Sequence, residues 1–526
     1  MRLKSVLGAL ALSALAVVVA PLAASAAPVV PGAQAGHSLA ANTRFYVPPP
    51  PSGAVLQIGQ LLGHGQGSNA ALIAEMETVP SAVWLDGETA AEAAKGTVGE
   101  QEADADVART IRQTLLDASF QHAVPIFVAY NIPGRDCSQY SAGGAPSDAA
   151  YDSWIDAIQS ALGGAKAVVI LEPDALANLP GYCGSTYNAE FPDITNTTRI
   201  NDVAYGVSTL EQDPNISVYL DGGHSAWQAV GNIAEVLEAA DVQQAQGFFL
   251  NVSNYQYAAN NVFYGTWVSS CIAYATQLNG VTQADAATYA STLTSADNNP
   301  SGAFAACPNQ YWNGGPATGW SGEAMSPYGV WSETESNAAL NPIGTDSSYA
   351  NMLGSIVPTT HFVIDTSRNG LGPNEMNAYS AAPDDQPASV ISALQSGNWC
   401  NPPGSGLGTR PTANTATVPN SLDSYLPADS PLLDAYLWVK TPGQSDGQCD
   451  LAGGVRDWQD YTAAGAGGGY TPPIAGWPTS SSSDWTTFDP LWSLQTNSVL
   501  TDPAAGDWFP QQALQLAQDA NPALTW

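Results

Sequence analysis

Short apolar runs recur along this chain and are separated by stretches with helical spacing or by polar segments. The runs that predict strands lie at 81–86, 124–130, 167–171, 217–220, 247–250, 361–364 and 436–440. Continuous apolar runs of this length are typical of strands buried on both faces of a parallel sheet. Helical spacing at 101–121 and 148–163, with strand-to-strand intervals that start at about 30–50 residues, fits βα units. The pattern therefore predicts an α/β barrel of repeated βα units in one domain.

Two intervals between predicted strands are too long for a simple βα unit. About 110 residues separate Leu250 from His361, and about 70 separate Ile364 from Tyr436. Long ordered insertions after strands are usually active-site loops, and the alternative is a passive surface elaboration. An Ala/Gly-rich and Ser-rich stretch at 463–484 is interpreted as a loop within the domain, because only about 40 residues follow it.

The N-terminus has the composition of a secretory signal. A basic start, an apolar stretch and an A-x-A site predict a signal peptide over residues 1–26. The alternative, a membrane anchor, needs a longer apolar span. Residues 27–44 predict a flexible segment, and the catalytic domain is expected at 45–526. We therefore expect a secreted, extracellular protein.

The charge balance narrows the possible partners. Acidic residues outnumber basic ones 47 to 13, which gives a formal net charge of −34, and only 11% of residues are charged. Nucleic acids and anionic membranes bind basic patches, so this balance argues against both as partners. A chain poor in charge, with aspartates at the ends of strands, favours acid/base chemistry on a neutral substrate.

The chain has six cysteines, and an even number in an exported protein favours disulfides. Fifteen connectivities are possible, and pairing between sequence neighbours is the simplest. No CxxC pair occurs and the five histidines are scattered, which argues against a zinc site. The cysteines are Cys137, Cys183, Cys271, Cys307, Cys400 and Cys449.

Four aspartates follow predicted strands and suggest cleavage of a glycosidic bond, which commonly uses two carboxyl groups. Asp174, after a long apolar run, is the candidate proton donor, because burial or a neighbouring carboxylate raises a donor's pKa. Asp136 and Asp221 follow adjacent strands and are placed to raise that pKa by like-charge repulsion. Asp446, on a Gly-rich loop, is a candidate base. Loop capping is the alternative for each aspartate taken singly.

Aromatic residues support a carbohydrate substrate. Trp84, Trp227 and Trp399 lie beside predicted strand ends or a loop cysteine, where a ring could stack on the apolar face of a sugar. Core packing is the alternative for any tryptophan. Other motifs are weak. The glycines at 404–408 are not followed by a helix or a lysine, and no calcium loop has EF-hand spacing.

Together the motifs resemble glycoside hydrolase family 6, the inverting cellulases. The resemblance runs from about Tyr46 to the C-terminus and rests on these motifs: AVWLD (82–86), YNIPGRDC (130–137), LEPDALANL (171–179), YLDGGHSAW (219–227), NVSNY (251–255), IDTSRNG (364–370), NWCN (398–401) and LWVKTPGQSDG (437–447). It implies a distorted seven-stranded parallel β/α barrel, similar to a TIM barrel, with long active-site loops around a cleft or tunnel.

The resemblance also implies roles for individual residues. Asp174 becomes the general acid, Asp136 raises its pKa and steadies positive charge in the transition state, and Asp446 is the proposed base. A water chain that relays the proton is the alternative to a direct base. The implied substrate-binding residues are Trp84, Tyr130, Ser141, Asp221, His224, Trp227, Asn254, Trp399, Lys440 and Gln444. No metal or other cofactor is implied.

Disulfides 137–183, 271–307 and 400–449 are likewise implied by the resemblance. Two departures from the family pattern stand out. Gln444 replaces a usual Glu that contacts sugar, which removes a charge. Only two residues separate Asp446 from Cys449, where many tunnel-forming members carry a longer loop.

The expected function is therefore that of a secreted cellulase that hydrolyses β-1,4-glucosidic bonds of cellulose and cello-oligosaccharides with inversion. The long insertion after NVSNY favours a cellobiohydrolase, and an endoglucanase is the alternative within the family. A glucan-binding protein without catalysis is the alternative from another class. We expect a monomer.

Overall fold

The computed structural model describes residues 39–87, 100–138, 141–294, 300–313, 322–382, 385, 387, 388, 391, 392, 395, 398–418, 430–447 and 502–525. The signal sequence and the stretch at 463–484 lie outside these residues. Seven strands form one sheet in the order β1 to β7, and every neighbouring pair is parallel. The predicted seven-stranded parallel barrel architecture is confirmed.

The strands are short, and their order in the sheet is the same as their order in the sequence. Their bounds are β1 Val83–Leu85, β2 Ile126–Ala129, β3 Ala167–Leu171, β4 Ile216–Asp221, β5 Gly247–Leu250, β6 His361–Asp365 and β7 Leu433–Leu437. The sheet curls so that its two edges come together. At this point the N–H of Ala82, before β1, donates to the carbonyl of Trp438, after β7, at 2.9 Å. The carboxyl ends of all seven strands therefore surround one opening.

Eleven α-helices are described, and most of them lie between strands. Their bounds are α1 Ser52–Gly63, α2 Gly67–Met76, α3 Glu100–Gln121, α4 Asp148–Leu162, α5 Ser185–Glu190, α6 Asn196–Leu210, α7 Val230–Ala239, α8 Ala258–Ala273, α9 Gln283–Ala290, α10 Ile343–Leu353 and α11 Pro510–Gln518. The two helices that helical spacing predicted, α3 and α4, are confirmed within one residue at each end.

Helix α4 illustrates how the sequence sets an element. Ser147 caps its N-terminus by accepting a hydrogen bond from the N–H of Ala150 at 3.2 Å, and Gly163 ends it with a left-handed φ of 54°. Buried residues at helical spacing, among them Trp154 and Ile158, face the sheet. These side chains belong to the same apolar cluster as Phe127 of β2 and Val169 of β3.

Successive residues of each strand point to opposite sides of the sheet. Val128 and Ile170 point into the barrel interior, where they meet Tyr219 and Phe249. Val169, on the other face, packs against the surrounding helices in a larger apolar cluster. Burial on both faces explains why the strands appear in the sequence as unbroken apolar runs.

The last strand differs from its prediction, since β7 ends at Leu437 and not at 440. Beyond Leu437 the backbone turns from β6 toward β1. The carbonyl of Val439 accepts a hydrogen bond from the indole N–H of Trp84 at 2.9 Å, while Trp438 bonds to Ala82. Trp438 and Val439 are fully buried in this seam, so the apolar run continues after the strand has stopped.

The start of β7 was missed because of a charged residue. Asp434 interrupts the apolar pattern, yet it lies in the strand and is buried. It accepts hydrogen bonds from Tyr219 at 2.7 Å and Gln246 at 2.8 Å, and it pairs with His361 at 2.7 Å. These partners satisfy a carboxylate at the amino end of the barrel, opposite the opening.

Two of the implied disulfides are present. Cys137 joins Cys183 and Cys271 joins Cys307, with Cα atoms 5.2 Å and 5.7 Å apart. The third implied bridge includes Cys449, which lies outside the described residues. No helix within the described residues combines the length and the apolar character needed to cross a bilayer.

Candidate active site

A cavity of about 480 Å³ lies at the carboxyl ends of the strands. In parallel α/β barrels this end collects ligand and catalytic groups, because the connecting loops converge there. Eleven of the thirteen predicted catalytic and substrate-binding residues line this cavity. They are Trp84, Tyr130, Asp136, Ser141, Asp174, His224, Trp227, Asn254, Trp399, Lys440 and Asp446.

Asp174 lies in the turn after β3 and faces the cavity. Burial raises the pKa of its carboxyl well above the usual value, and the negative charges of Asp221, Asp136 and Asp446 raise it further. Lys440 opposes these effects and is outweighed. The group is therefore protonated at a pH where an ordinary aspartate is ionised, which is what a proton donor requires.

Asp136 is held on the neighbouring loop after β2. Its carboxylate accepts the N–H of Ser141 at 2.7 Å. Arg135 fixes the same loop, since its Nε donates to the Ser141 carbonyl at 2.9 Å and its guanidinium stacks on the ring of Tyr130, 4.5 Å from the centroid. The disulfide of Cys137 ties this loop to the chain after β3. Asp136 is thus kept near Asp174 by local contacts.

Asp446 has a very different environment. Its Oδ2 accepts hydrogen bonds from Arg368 at 2.9 Å, from the N–H of Asn401 at 2.9 Å and from Tyr255 at 3.1 Å. The Lys440 ammonium lies 3.3 Å from Oδ1. Burial alone would raise the pKa of Asp446, but Arg368 and Lys440 outweigh it and hold the pKa below its usual value. Asp446 is therefore ionised, and its hydrogen bonds hold it in one position.

Lys440 joins this charged group to the aromatic wall. Its ammonium donates to the carbonyl of Ser445 at 3.0 Å and lies 5.8 Å from the ring centroid of Trp84. Burial lowers its pKa from the usual lysine value, while Asp446 opposes that change. The lysine is therefore positioned between Asp446 and the indole that is predicted to bind sugar.

His224 is a neutral donor in this site. Its Nδ1 accepts the N–H of Ala226 at 3.2 Å, which leaves the proton of the neutral ring on Nε2. Burial lowers the pKa of His224 to about 3, so the ring carries no charge at neutral pH. It packs against Trp227, with ring centroids 5.5 Å apart. An imidazole N–H beside an indole suits a sugar, which has hydroxyls and an apolar face.

Three buried carboxyl groups, here called the rim carboxylates, tie the loops together: Glu172, Asp221 and Asp365. Glu172 accepts the N–H groups of Asn131 and Ile132, with contacts of 2.9–3.0 Å, and so joins the turns after β2 and β3. Burial raises its pKa to about 7, although these two hydrogen bonds oppose that change.

The other two rim carboxylates act in the same way. Asp221 accepts the N–H groups of Leu176 at 3.1 Å and Ala177 at 2.7 Å, in the segment that follows Asp174. Asp365 accepts those of Val439 at 3.1 Å and Lys440 at 3.0 Å. It also accepts the N–H of Ser253, after β5, at 3.2 Å. Turns from neighbouring strands are thus fixed to one another.

The backbone around the cavity is strained. Positive φ angles, rare outside glycine, occur at residues next to or within the site: Asp136 (57°), Cys137 (47°), Glu172 (54°), Asp174 (66°), Asn251 (68°), Ser253 (59°) and Asn401 (44°). Each such residue costs on the order of 1–3 kcal/mol and persists only where its surroundings fix it. The clustering at one end of the barrel is typical of a functional site.

Two predicted substrate-binding residues lie elsewhere. Asp221 is 2% exposed and its oxygens face backbone N–H groups, so it acts here on the loops and not on the cavity surface. Gln444 lines a second cavity of about 890 Å³. That cavity adjoins the first, because Trp84, Tyr130, Ser141 and Lys440 border both.

The sequence analysis did not single out several residues of the site. Arg368 and Asn401 lie inside quoted motifs, but nothing in the chain indicates that they meet Asp446, which is 78 and 45 residues away. Tyr255 and Tyr328 were likewise missed. Within the described ranges, no group of three or more His, Cys, Asp or Glu side chains is arranged to hold a metal ion.

Comparison with known proteins gives a consistent result. A family model described as "Glycosyl hydrolases family 6" matches residues 40–477. "Endoglucanase A" of Thermobispora bispora is 28% identical over 333 residues, which are 63% of this chain and 46% of that protein. A "Probable 1,4-beta-D-glucan cellobiohydrolase C" of Aspergillus terreus is 26% identical over 463 residues, 85% of this chain and 68% of that protein. The chain thus spans about half the length of the first relative.

The same fold is found among solved structures. The catalytic core domain of the cellobiohydrolase Cel6A from Chaetomium thermophilum superposes with a TM-score of 0.50 at 21% identity. The superposition covers 91% of this chain and 98% of that domain. At this level of identity the likeness concerns the fold alone.

Proposed function

Because this chain belongs to family 6 of the glycosyl hydrolases, we propose that it hydrolyses the β-1,4-glucosidic bonds of cellulose and cello-oligosaccharides. The environment of Asp174 carries this proposal. Its carboxyl has a raised pKa and lies in a cavity that also contains three tryptophans and an ionised carboxylate. A binding protein would gain nothing from a strained, desolvated acid, so the same observation argues against the non-catalytic alternative.

The proposed reaction is a single displacement with inversion. The Asp174 proton passes to the glycosidic oxygen as the bond from that oxygen to the anomeric carbon breaks. A water attacks the opposite face of the carbon and loses a proton, and Asp446 is the proposed final acceptor. Since Oδ2 of Asp446 already accepts three hydrogen bonds, a second water that relays the proton fits better than direct contact. Asp136 stabilises the positive charge that develops on the sugar.

We favour attack at chain ends, as in a cellobiohydrolase. Both long insertions contribute to the cavity wall. Asn254, Gln256 and Tyr328 come from the first, and Gln395 and Trp399 come from the second. The two insertions also contact each other at the wall, where the Asn398 amide donates to the Tyr328 hydroxyl at 3.4 Å, and this contact favours an enclosed path through which a chain is threaded.

An endoglucanase is the second candidate. The relative in Thermobispora bispora is named an endoglucanase, and the short spacing between Asp446 and Cys449 removes residues that could close the path. Attack within chains needs an open cleft, and these two observations favour one.

The product profile separates the two candidates. Chain-end attack should release cellobiose from the first minutes and lower the viscosity of a soluble cellulose derivative slowly for each bond cut. A rapid fall in viscosity with a spread of cello-oligosaccharides would favour the endoglucanase. NMR of the first product should detect the α-anomer, and an initial β-anomer would exclude inversion.

We also propose that the enzyme acts outside the cell as a monomer. The predicted signal at 1–26 and the two disulfides support export. Mass spectrometry of secreted material should find a mature N-terminus at residue 27, and light scattering should give the mass of one chain.

A further inference from the structure

One wall of the cavity comes from a turn at residues 326–331, within the first insertion. Pro327 and Tyr328 of this turn line the cavity together with Asn398 and Trp399 of the second insertion. None of the chemistry assigned to the carboxylates involves this turn. Its sequence, Ser-Pro-Tyr-Gly-Val-Trp, has no charge and two aromatic residues.

Trp331 anchors this turn to the interior of the protein. This side chain is 1% exposed and stacks on Trp267 with ring centroids 5.6 Å apart and an interplanar angle of 20°. Its indole N–H donates to the carbonyl of Ser326 at 2.7 Å. The buried amide of Asn260 holds the same turn twice, because it accepts the N–H of Trp331 at 2.8 Å and donates to the Gly329 carbonyl at 3.0 Å.

Tyr328 lies on this fixed turn, but its own side chain is only half-buried. Its hydroxyl accepts a hydrogen bond from the Asn398 amide at 3.4 Å, which is a long contact. The two insertions therefore meet at Tyr328 and Asn398, beside the cavity. A structural aromatic residue is usually buried, whereas this one has a rigid backbone and a ring at the cavity wall.

We propose that Tyr328 is a glucan-binding residue, whose ring stacks on the apolar face of a glucosyl unit while Asn398 contacts its hydroxyls. This assignment rests on the proposed function. An aromatic side chain on a preorganised turn loses little conformational entropy when a ligand arrives, so its contact area is converted efficiently into affinity. The contact is made before and during the reaction, so it affects KM more than kcat.

Calorimetry tests the contact without turnover. In protein that carries Asp174→Asn, the further change Tyr328→Ala should weaken the binding of cellohexaose about tenfold, a typical loss for a central aromatic contact. Tyr328→Phe keeps the ring and should stay within about threefold of the parent, since only the long hydroxyl contact is lost. Affinity unchanged in Tyr328→Ala, or equally weak in Tyr328→Phe, would overturn the stacking role.

Two controls keep the test specific. Tyr205→Ala removes a tyrosine from the outer side of α6, where its hydroxyl bonds to Asp156 at 2.9 Å, and should leave cellohexaose affinity unchanged. With Asp174 intact, Tyr328→Ala should raise KM for cellohexaose about tenfold with kcat within about twofold. A fall in kcat with KM unchanged would reject the binding role.

Failure of the proposed function would look different. If the unmodified chain neither binds nor cleaves cello-oligosaccharides, the substrate class itself is wrong. If it binds and cleaves them while all Tyr328 variants behave like the parent, only the assignment of Tyr328 fails. Thermal unfolding of each variant confirms that it is folded. If Tyr328→Ala does not fold, Tyr328→Leu takes its place, because it keeps an apolar side chain without a flat ring and its affinity for cellohexaose should also fall.

Discussion

Asp174 and Asp446 line the same cavity, and their surroundings shift their pKa values in opposite directions. Both carboxyl groups are removed from water, which by itself raises each pKa. Asp174 has other carboxylates as its main neighbours, whereas Asp446 has Arg368 and Lys440. One group is therefore kept as an acid and the other as an anion.

This difference shows that burial alone does not assign a catalytic role. The same desolvation that keeps Asp174 protonated is overcome at Asp446 by a guanidinium at 2.9 Å and an ammonium at 3.3 Å. Two carboxyl groups whose environments separate their pKa values can serve as acid and as ionised partner at one pH.

The largest effect is expected from Asp174→Asn, which removes the proton donor. Turnover of cellohexaose should fall by about 10²–10⁴ or more, because the leaving oxygen is no longer protonated. A cellobioside with an aryl or fluoride leaving group should lose much less. Steady-state kinetics on both substrates measure the difference, and Asp193→Asn on the exposed surface is the control. Equal losses on both substrates would remove Asp174 from the donor role.

Arg368→Met should convert the Asp446 environment into one more like that of Asp174. The free energy of unfolding at pH 7 should fall by about 3–5 kcal/mol, because a buried carboxylate loses its main partner. The pKa of Asp446 is lowered in the intact protein, so its stabilising contribution is present above the unfolded pKa and is lost as pH falls through the folded pKa.

The free energy of unfolding of Arg368→Met should therefore come closer to that of the parent in acid, because Asp446 of the variant can be neutralised there by protonation. Urea unfolding at pH 7 and pH 4 measures this change. The exposed pair of Arg109 with Asp106 gives a control, since Arg109→Met should cost less than about 1 kcal/mol. A constant difference at both pH values would contradict the assigned charge of Asp446.

Asp136→Asn should remove one of the negative charges near Asp174 while keeping the shape of the side chain at position 136. Loss of a like charge lowers the pKa of Asp174, so the basic limb of the pH profile of kcat/KM should move to lower pH. The amide oxygen can still accept the N–H of Ser141. Rates on cellohexaose across the pH range test this, and an unmoved basic limb would exclude Asp136 as a source of the raised pKa.

The smallest effect is expected far from the cavity. Asp434 raises the pKa of His361 through a hydrogen bond at the amino end of the barrel. The contribution of this pair to stability is fully present at pH values below the pKa of histidine in the unfolded chain. It is lost as the pH rises through the raised pKa of His361 in the folded protein. His361→Gln should lower the Tm at pH 5 more than at pH 9, with kcat unchanged at either pH. A change in kcat would contradict this prediction and would show that the pair at the amino end of the barrel affects the active site at the other end.

The sequence located most strands because burial on both faces leaves an unbroken apolar run. It misplaced β7, where Asp434 lies inside the strand and Trp438 follows it, since a charged residue with tertiary partners is not distinguishable from a turn residue in one sequence. Spacing also cannot indicate that Arg368 reaches Asp446 or that Glu172 holds the turn after β2. These contacts depend on how the sheet curls. The position of the aspartates after parallel strands, together with the family resemblance, did predict that they share a site.

The rim carboxylates have a consequence for protein engineering. Each one lies at the end of a strand or directly after it and holds the backbone of a neighbouring loop, so Glu172 determines the path of residues 131–132 and Asp365 that of residues 439–440. A loop transplanted from a relative therefore also exchanges an acceptor on which its neighbour depends. We expect chimeras that exchange adjacent loops as pairs to fold and act better than chimeras that exchange them singly, so the unit of recombination at this end of the barrel is two loops.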